Sequence, residues 1–318
     1  MKKILVIGGT GDQGHPLLHR LEKAGMKPIA AQRNLQAFAG TEFEHIETVS
    51  ADIYDEASMI AAAKGMDAIA ASLPFVFDRE KAAEIGKNIA AAAKANNLQK
   101  IVFNSSCFVA DYDNDNPAHD GRREIEAAII GSGVPYAIFE PKVFMDNMIR
   151  SWNKPSIVQN GIFAYPANPE LLISWICLDD VAAFMVEALE KDDLPSGRYA
   201  IGGPEPLVGD QVAEILSEAA GKTITFKSLT PDEFASAMSL LVTGSAKVEP
   251  HGLYYGMASF YRFYNDQPVS PLIADVEDMA THFATKPTSL LEWARRQDWT
   301  DPSDPALATR MAGMQAPG

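Results

Sequence analysis

The feature that most constrains this chain is a glycine-rich turn that directly follows its first apolar run. The run Lys3–Ile7 predicts a buried strand, and helical periodicity begins after the turn, over Leu17–Ala24. Glycines between a strand and a helix permit a tight turn, close approach of the backbone to a diphosphate, and close packing of the helix on the strand. The pattern therefore predicts a dinucleotide site whose phosphates lie at the amino terminus of the first helix. The residues of this turn are Gly8, Gly9, Thr10, Gly11, Asp12, Gln13 and Gly14.

The same alternation of strand and helix continues through the first half of the chain. It is typical of βαβ units, whose right-handed crossovers wind into a doubly wound parallel α/β sheet of the Rossmann type. Ligands of such sheets bind in the crevice at the carboxyl ends of the strands. The predicted strands are Lys3–Ile7, Pro28–Gln32, Glu44–Val49, Ala68–Ser72, Lys100–Asn104 and Tyr136–Phe139. The predicted crossover helices are Leu17–Ala24, Ala57–Ala63 and Ala82–Ala95.

The rhythm changes after Pro141, where elements become shorter and aromatic residues more frequent. We expect residues 1–150 to form the dinucleotide-binding domain and residues 151–318 to form a smaller substrate-binding region. A helix at Leu178–Leu189 and a strand at Tyr199–Ile201 are expected to return to the first sheet, so that segments near 173–202 complete it. The polar residues 300–318 are expected to be frayed.

Composition narrows the function classes. A net charge of −15 disfavours nucleic acid as a partner, and the apolar residues are too dispersed to cross a membrane. The two cysteines lie in neither a disulfide pattern nor a metal-binding pattern, so no metal site is predicted and a reducing, cytoplasmic location is expected. We expect a monomer or homodimer that binds a small-molecule substrate.

The end of the second predicted strand indicates which dinucleotide is bound. An NAD-type protein places an Asp or Glu about twenty residues after the glycines, whereas this strand is followed by Arg33. A guanidinium can form paired hydrogen bonds to a 2′-phosphate, so NADP(H) is favoured, with a solvated surface arginine as the alternative. The pair Asp52 and Ile53 is placed to bracket adenine. Residues expected to line the ribose and nicotinamide are Ser72, Leu73, Pro74, Asn104, Ser105 and Ser106.

In these features the chain resembles the atypical short-chain dehydrogenases/reductases, a group that includes NmrA-like proteins, isoflavone-reductase-like enzymes and NADPH-dependent quinone reductases. The resemblance spans most of the chain, and it implies that Pro141 meets the nicotinamide carboxamide and that Phe144 packs on the nicotinamide or is a core aromatic. Its carriers are Gly8–Gly14, Arg33, Asn104–Ser106, His119–Asn147 and Ile173–Ala182.

The resemblance also identifies candidate catalytic residues. Short-chain dehydrogenases generally use a Tyr and a Lys on one helix, and here Ala118 and Arg122 stand at those positions. Arg122 can still hydrogen-bond the ribose, but it stays protonated and is a poor proton shuttle. His119 is a candidate acid or base, with an exposed or helix-capping residue as the alternative. Lys142 faces either substrate or solvent.

Two function classes follow. The leading hypothesis is an NADPH-dependent reductase that transfers hydride to a small aromatic or conjugated acceptor, such as a quinone or a benzylic ether, which needs little proton donation from the protein. The alternative is a non-catalytic NADP(H) sensor of the NmrA type; a nucleotide-sugar epimerase is weaker, because those relatives retain the Tyr and Lys. Aromatic residues expected in the substrate pocket, or else in the core, are Phe75, Phe77, Phe144, Trp175, Tyr254 and Tyr255.

Overall fold

A seven-stranded parallel sheet forms the centre of the molecule, in a computed structural model that describes residues 1–74, 76–250 and 252–306. The strands are β1 Lys3–Ile7, β2 Lys27–Gln32, β3 Glu47–Ser50, β4 Ala68–Ser72, β5 Lys100–Asn104, β6 Tyr136–Pro141, β7 Val143–Phe144, β8 Ile162–Tyr165, β9 Ile173–Ile176, β10 Gly197–Ile201, β11 Pro206–Leu207 and β12 Thr225–Ser228. The helices are α1 Gly14–Lys23, α2 Glu56–Ala62, α3 Arg79–Ala95, α4 Pro117–Gly131, α5 Leu178–Glu190, α6 Gly209–Ala220, α7 Pro231–Thr243, α8 Leu253–Asp266, α9 Val276–His282 and α10 Leu290–Ala294.

The order of the strands confirms the predicted doubly wound fold. It runs β3-β2-β1-β4-β5-β6-β10. The strands after β3 are added on the other side of β1, and a crevice opens at this switch point, between β1 and β4. Apolar side chains of α1 and α5 pack on one face of the sheet, and those of α2, α3 and α4 pack on the other. Both faces are therefore covered, which explains why β4 and β5 are buried along their whole length.

The third strand differs from its prediction. It spans Glu47–Ser50 rather than Glu44–Val49, because the preceding residues form turns. Phe43 and Ile46 are apolar for another reason: both are buried in the core beside α1. A loop residue that is buried under a helix is as apolar as a residue at the start of a strand, and Ile46 therefore matched the predicted strand.

The edge strand β10 pairs with β6 and carries an ion pair to a buried carboxylate. Arg198 on β10 pairs with Glu126 on α4, and its Nε lies 3.9 Å from Oε1 of Glu140 on β6. Burial raises the pKa of Glu126 to about 7, against the opposing effect of Arg198. The strand expected at Tyr199–Ile201 and the helix expected at Leu178–Leu189 are both present, as β10 and α5.

The later part of the chain builds a second, aromatic-rich core around two small sheets. One sheet has the order β11-β9-β7, and the other pairs β12 with β8. The end that was expected to be frayed lies partly outside the described residues; within them, Asp304 is 7% exposed and accepts a hydrogen bond from the amide of Ser151. Among the described residues, the helices are too short or too polar to cross a lipid bilayer.

The contact between α3 and α4 yields a stability prediction. A Cβ atom at Gly86 would lie 2.8 Å from Cα of Ile125, so we expect Gly86→Ala to lower the free energy of unfolding by about 1–3 kcal/mol. Gly131, at the end of α4, has nothing within 4 Å, and Gly131→Ala is expected to be neutral or to stabilise by about 0.5–1 kcal/mol. Urea unfolding of both variants checks this, and equal effects would contradict it.

Candidate active site

The glycine-rich turn after β1 is held in place by the end of β4. Gly8 has a φ of +82°, and a Cβ there would lie 2.0 Å from the carbonyl oxygen of Ser72. A Cβ at Gly14 would lie 2.2 Å from the carbonyl oxygen of Gly8. Only glycine fits at either position, so the turn brings β1, β4 and the start of α1 into backbone contact.

The amino terminus of α1 is arranged to receive an anion. Its N-cap, Gln13, makes no side-chain hydrogen bond to the helix, and the first turn carries no acidic residue. The amides of Gly14 and His15 donate to the carbonyl of Gly11. The helix dipole and the absence of an acidic residue from the first turn together favour a phosphate at this position.

The Gln13 side chain instead joins the first turn to the loop after β5. Its Oε1 accepts hydrogen bonds from Nδ2 of Asn104 at 2.6 Å and from Oγ of Ser106 at 3.0 Å. Ser106 has a φ of +65°, an uncommon conformation for a residue with a Cβ, and such conformations cluster at ligand sites. The hydroxyl of Ser105 donates to backbone carbonyls within the fold, so this side chain does not face the crevice.

The adenine-side candidates lie where β2 and β3 end. Arg33 is exposed and has no ion-pair partner among the described residues. Asp52 accepts a hydrogen bond from the amide of Tyr54 at 3.0 Å, and half-buried Ile53 receives one at its carbonyl from Asn88. Because β2 and β3 are paired, these side chains share one edge of the sheet. Their contacts with a cofactor stay predictions.

Arg122 is buried and donates a hydrogen bond to the loop after β4. It is 1% exposed, and its Nη2 donates to the carbonyl of Leu73 at 2.6 Å. Its guanidinium carbon lies 5.8 Å from the ring centroid of Phe103, and burial lowers its pKa to about 10. Leu73 is buried and Pro74 is exposed beside it. The structure therefore places Arg122 behind the crevice wall, and a direct contact with cofactor or substrate stays a prediction.

His119 is fully buried, so the alternative of an exposed residue is wrong. Nδ2 of Asn114 donates to its Nδ1 at 3.1 Å, which puts the ring proton on Nε2, 3.2 Å from the hydroxyl of Tyr264. Burial lowers the pKa of His119 to about 3. The imidazole is neutral at physiological pH and positions Tyr264, whose hydroxyl donates to the carbonyl of Phe108.

An aromatic cavity of about 220 Å³ opens beside Ser106 and Phe144. Lys142 contributes its stem to the wall; its ammonium donates to the carbonyl of Pro271 and lies 5.1 Å from the ring centroid of Phe108. Burial lowers the pKa of Lys142. The full lining is Ser106, Cys107, Lys142, Val143, Phe144, Asn147, Trp152, Tyr165, Phe234, Leu253, Met257, Phe260, Tyr261 and Tyr264.

Most of this lining was missed by the sequence reasoning. Trp175 is 2% exposed and packs behind Tyr165, so it belongs to the core rather than to the pocket. Tyr254 and Tyr255 lie on α8 but outside the cavity wall, and Phe75 lies outside the described residues. A sequence signal was available, because helical spacing places several apolar and aromatic residues on one face of α8. That face carries Leu253, Met257, Phe260, Tyr261 and Tyr264.

The buried imidazole predicts how stability changes with pH. The pKa of His119 is about 3 in the folded protein against 6.5 for an unperturbed histidine, so below pH 6.5 only the unfolded state gains a proton. The free energy of unfolding therefore falls as the pH falls from 6.5 towards 3, by about 2 kcal/mol near pH 5. We expect His119→Gln, which keeps a donor for Tyr264, to lose this part of the pH dependence.

Chemical denaturation at neutral and acidic pH measures the effect. His19→Gln is the matched control, because His19 is exposed on α1, and this variant should retain the full fall in stability. An unchanged fall in His119→Gln would contradict the assignment.

Comparison with known proteins gives the chain its relatives. The NAD(P)H azoreductase of Xenophilus azovorans is 28% identical over 238 residues, which cover 74% of this chain and 80% of that protein. The structure of NADPH-dependent quinone oxidoreductase from Escherichia coli complexed with NADPH superposes with a TM-score of 0.72 at 22% identity, covering 92% of this chain and 98% of that one. The triphenylmethane reductase of Citrobacter sp. complexed with NADP(H) gives 0.75 at 18%, covering 92% and 99%.

At these identities the two solved structures establish a shared fold. The sequence model of the NmrA-like family goes further, because it matches residues 1–294, which run from β1 to the end of α10. The chain therefore belongs to the NmrA-like family.

Proposed function

We propose that this protein is an NADP(H)-dependent reductase that transfers hydride to a flat aromatic or conjugated acceptor bound in the aromatic cavity. One observation carries the proposal: the cavity wall includes Ser106 and Phe144, the residues expected beside the nicotinamide. An acceptor stacked among the aromatic side chains of α8 would thus lie next to the reactive end of the cofactor. Aromatic walls favour flat, conjugated molecules.

The residues present fit NADP(H). The start of α1, whose first turn carries no acidic residue, and the close approach of Gly8 to β4 suit a diphosphate, and exposed Arg33 suits the 2′-phosphate. The azoreductase and both reductases named above are NAD(P)H-dependent or hold NADP(H) in their structures, which supports the same cofactor here. When bound, NADPH supplies the hydride, and the protein orients it and excludes water.

The protein's own contribution to proton transfer is small in this proposal. Ala118, at the position where the resemblance to short-chain dehydrogenases implies the tyrosine, is buried, and Arg122 is buried behind the loop after β4. The ammonium of Lys142 is engaged by the carbonyl of Pro271. Acceptors whose reduced form is stabilised by conjugation, such as quinones and cationic or azo dyes, suit such a site because they can take their proton from water. The sensor alternative is not favoured, because the relatives described above are reductases.

Cofactor choice tests the role of Arg33. We expect Arg33→Ala to weaken NADPH binding about 10–100-fold, the loss of a charge-assisted hydrogen-bonded pair, while leaving NADH binding unchanged. Arg296→Ala removes another exposed arginine and is the control. Calorimetric titration with both nucleotides gives the affinities, and an equal loss for NADPH and NADH would contradict the assignment.

Turnover tests the cavity. NADPH oxidation, followed by its absorbance, is measured with a quinone, an azo dye and a triarylmethane dye as acceptors. Met257 lines the cavity, so Met257→Trp should lower kcat/KM for the bulkiest acceptor by about tenfold or more, a clash of about 1.4 kcal/mol, with NADPH affinity unchanged. Tyr255→Trp enlarges a side chain of α8 outside the cavity and should have no effect. NADPH binding without turnover of any acceptor would overturn the reductase proposal.

A further inference from the structure

Arg150 lies between carboxylates that come from distant parts of the chain. It is 5% exposed, and its Nη2 lies 3.3 Å from Oδ2 of Asp12 in the turn after β1. Its Nη1 lies 3.6 Å from Oδ1 of Asp304 near the end of the described chain. Half-buried Asp146 is a third carboxylate in this group; burial raises its pKa, and Arg150 opposes that rise. The nearly buried guanidinium of Arg150 thus lies close to three carboxylates.

The segment that carries Asp304 is anchored rather than loosely attached. Oδ2 of Asp304 accepts a hydrogen bond from the amide of Ser151 at 2.8 Å, and Oδ1 accepts one from the amide of Ala306. The ammonium of Lys154 donates to the carbonyl of Ser303 at 2.9 Å. The contacts with Ser151 and Lys154 bind the segment to residues that follow Arg150. Asp304 is therefore held beside the guanidinium and helps to fix its position.

The position of Asp12 makes this contact important for nucleotide binding. Asp12 belongs to the turn between Gly8 and Gly14, whose backbone is arranged to meet a diphosphate. An uncompensated carboxylate at that place repels the negative charges of the diphosphate, and low exposure strengthens the repulsion. A neighbouring guanidinium removes most of this penalty by pairing with the carboxylate.

We propose that Arg150, held by Asp304, is a positioning residue that neutralises Asp12 so that the turn can accept the diphosphate of the dinucleotide. The segment around Asp304 is then part of the cofactor site although it contacts no cofactor. This inference rests on the proposed function, in that it requires NADP(H) at the turn. A purely structural ion pair is the competing explanation, and it predicts lost stability without a specific loss of nucleotide affinity.

A rescue experiment on the full chain distinguishes these explanations. We expect Arg150→Met to weaken NADPH binding about tenfold at low salt, and less at high salt, where charge repulsion is screened. Adding Asp12→Asn removes the carboxylate with which Arg150 pairs and should restore affinity to within about twofold of the wild type. Arg295→Met, which removes an exposed arginine paired with Glu218, is the control and should bind NADPH normally.

Calorimetric affinities, with thermal unfolding of the nucleotide-free variants beside them, decide the outcome. Normal affinity in Arg150→Met, or no recovery on adding Asp12→Asn, overturns the inference. If Arg150→Met does not fold, Asp304→Asn carries the same test: we expect a loss of about threefold that Asp12→Asn removes, and failure to remove it overturns the inference. Absence of NADPH binding by the wild type would instead overturn the proposed function.

Discussion

The contact between Gly8 and the end of β4 is the constraint on which the rest of this structure depends. A left-handed glycine pressed against the carbonyl of Ser72 lets β1 turn sharply into α1. That turn directs the start of the helix towards the crevice and places Gln13 where it can join Asn104 and Ser106. The phosphate-binding turn, the loop after β5 and the cavity beside it are therefore positioned by one backbone approach that no other residue type permits.

The sheet could be predicted from the sequence because its signals are local. Buried parallel strands are continuous apolar runs, and crossover helices are periodic, so β1, β4 and β5 were predicted with the bounds that the structure shows. The glycine turn carries its own chemistry in consecutive residues. The start of the third strand was predicted too early because Ile46 is buried from a loop, and burial alone does not distinguish a loop from a strand.

The candidate site was less predictable because its determinants are contacts between distant residues. His119 looked like an exposed or capping residue in the sequence, yet its burial depends on the aromatic side chains of α8, more than a hundred residues later. The environment of Arg122 is set by the carbonyl of Leu73, which has no sequence signature. Polar residues near the end of the chain suggested fraying, but Asp304 is held by Ser151 and Arg150. Such pairings are visible only in three dimensions.

The edge strand β10 has a consequence for the order in which the chain folds. The sheet is complete only when residues 197–201 have paired with β6, so a nascent chain that ends near residue 150 presents β6 as an open edge. That chain also leaves Glu126 without Arg198. During synthesis the edge of β6 therefore stays unpaired until residues 197–201 have been made. An unpaired strand edge can associate wrongly with other chains during that interval.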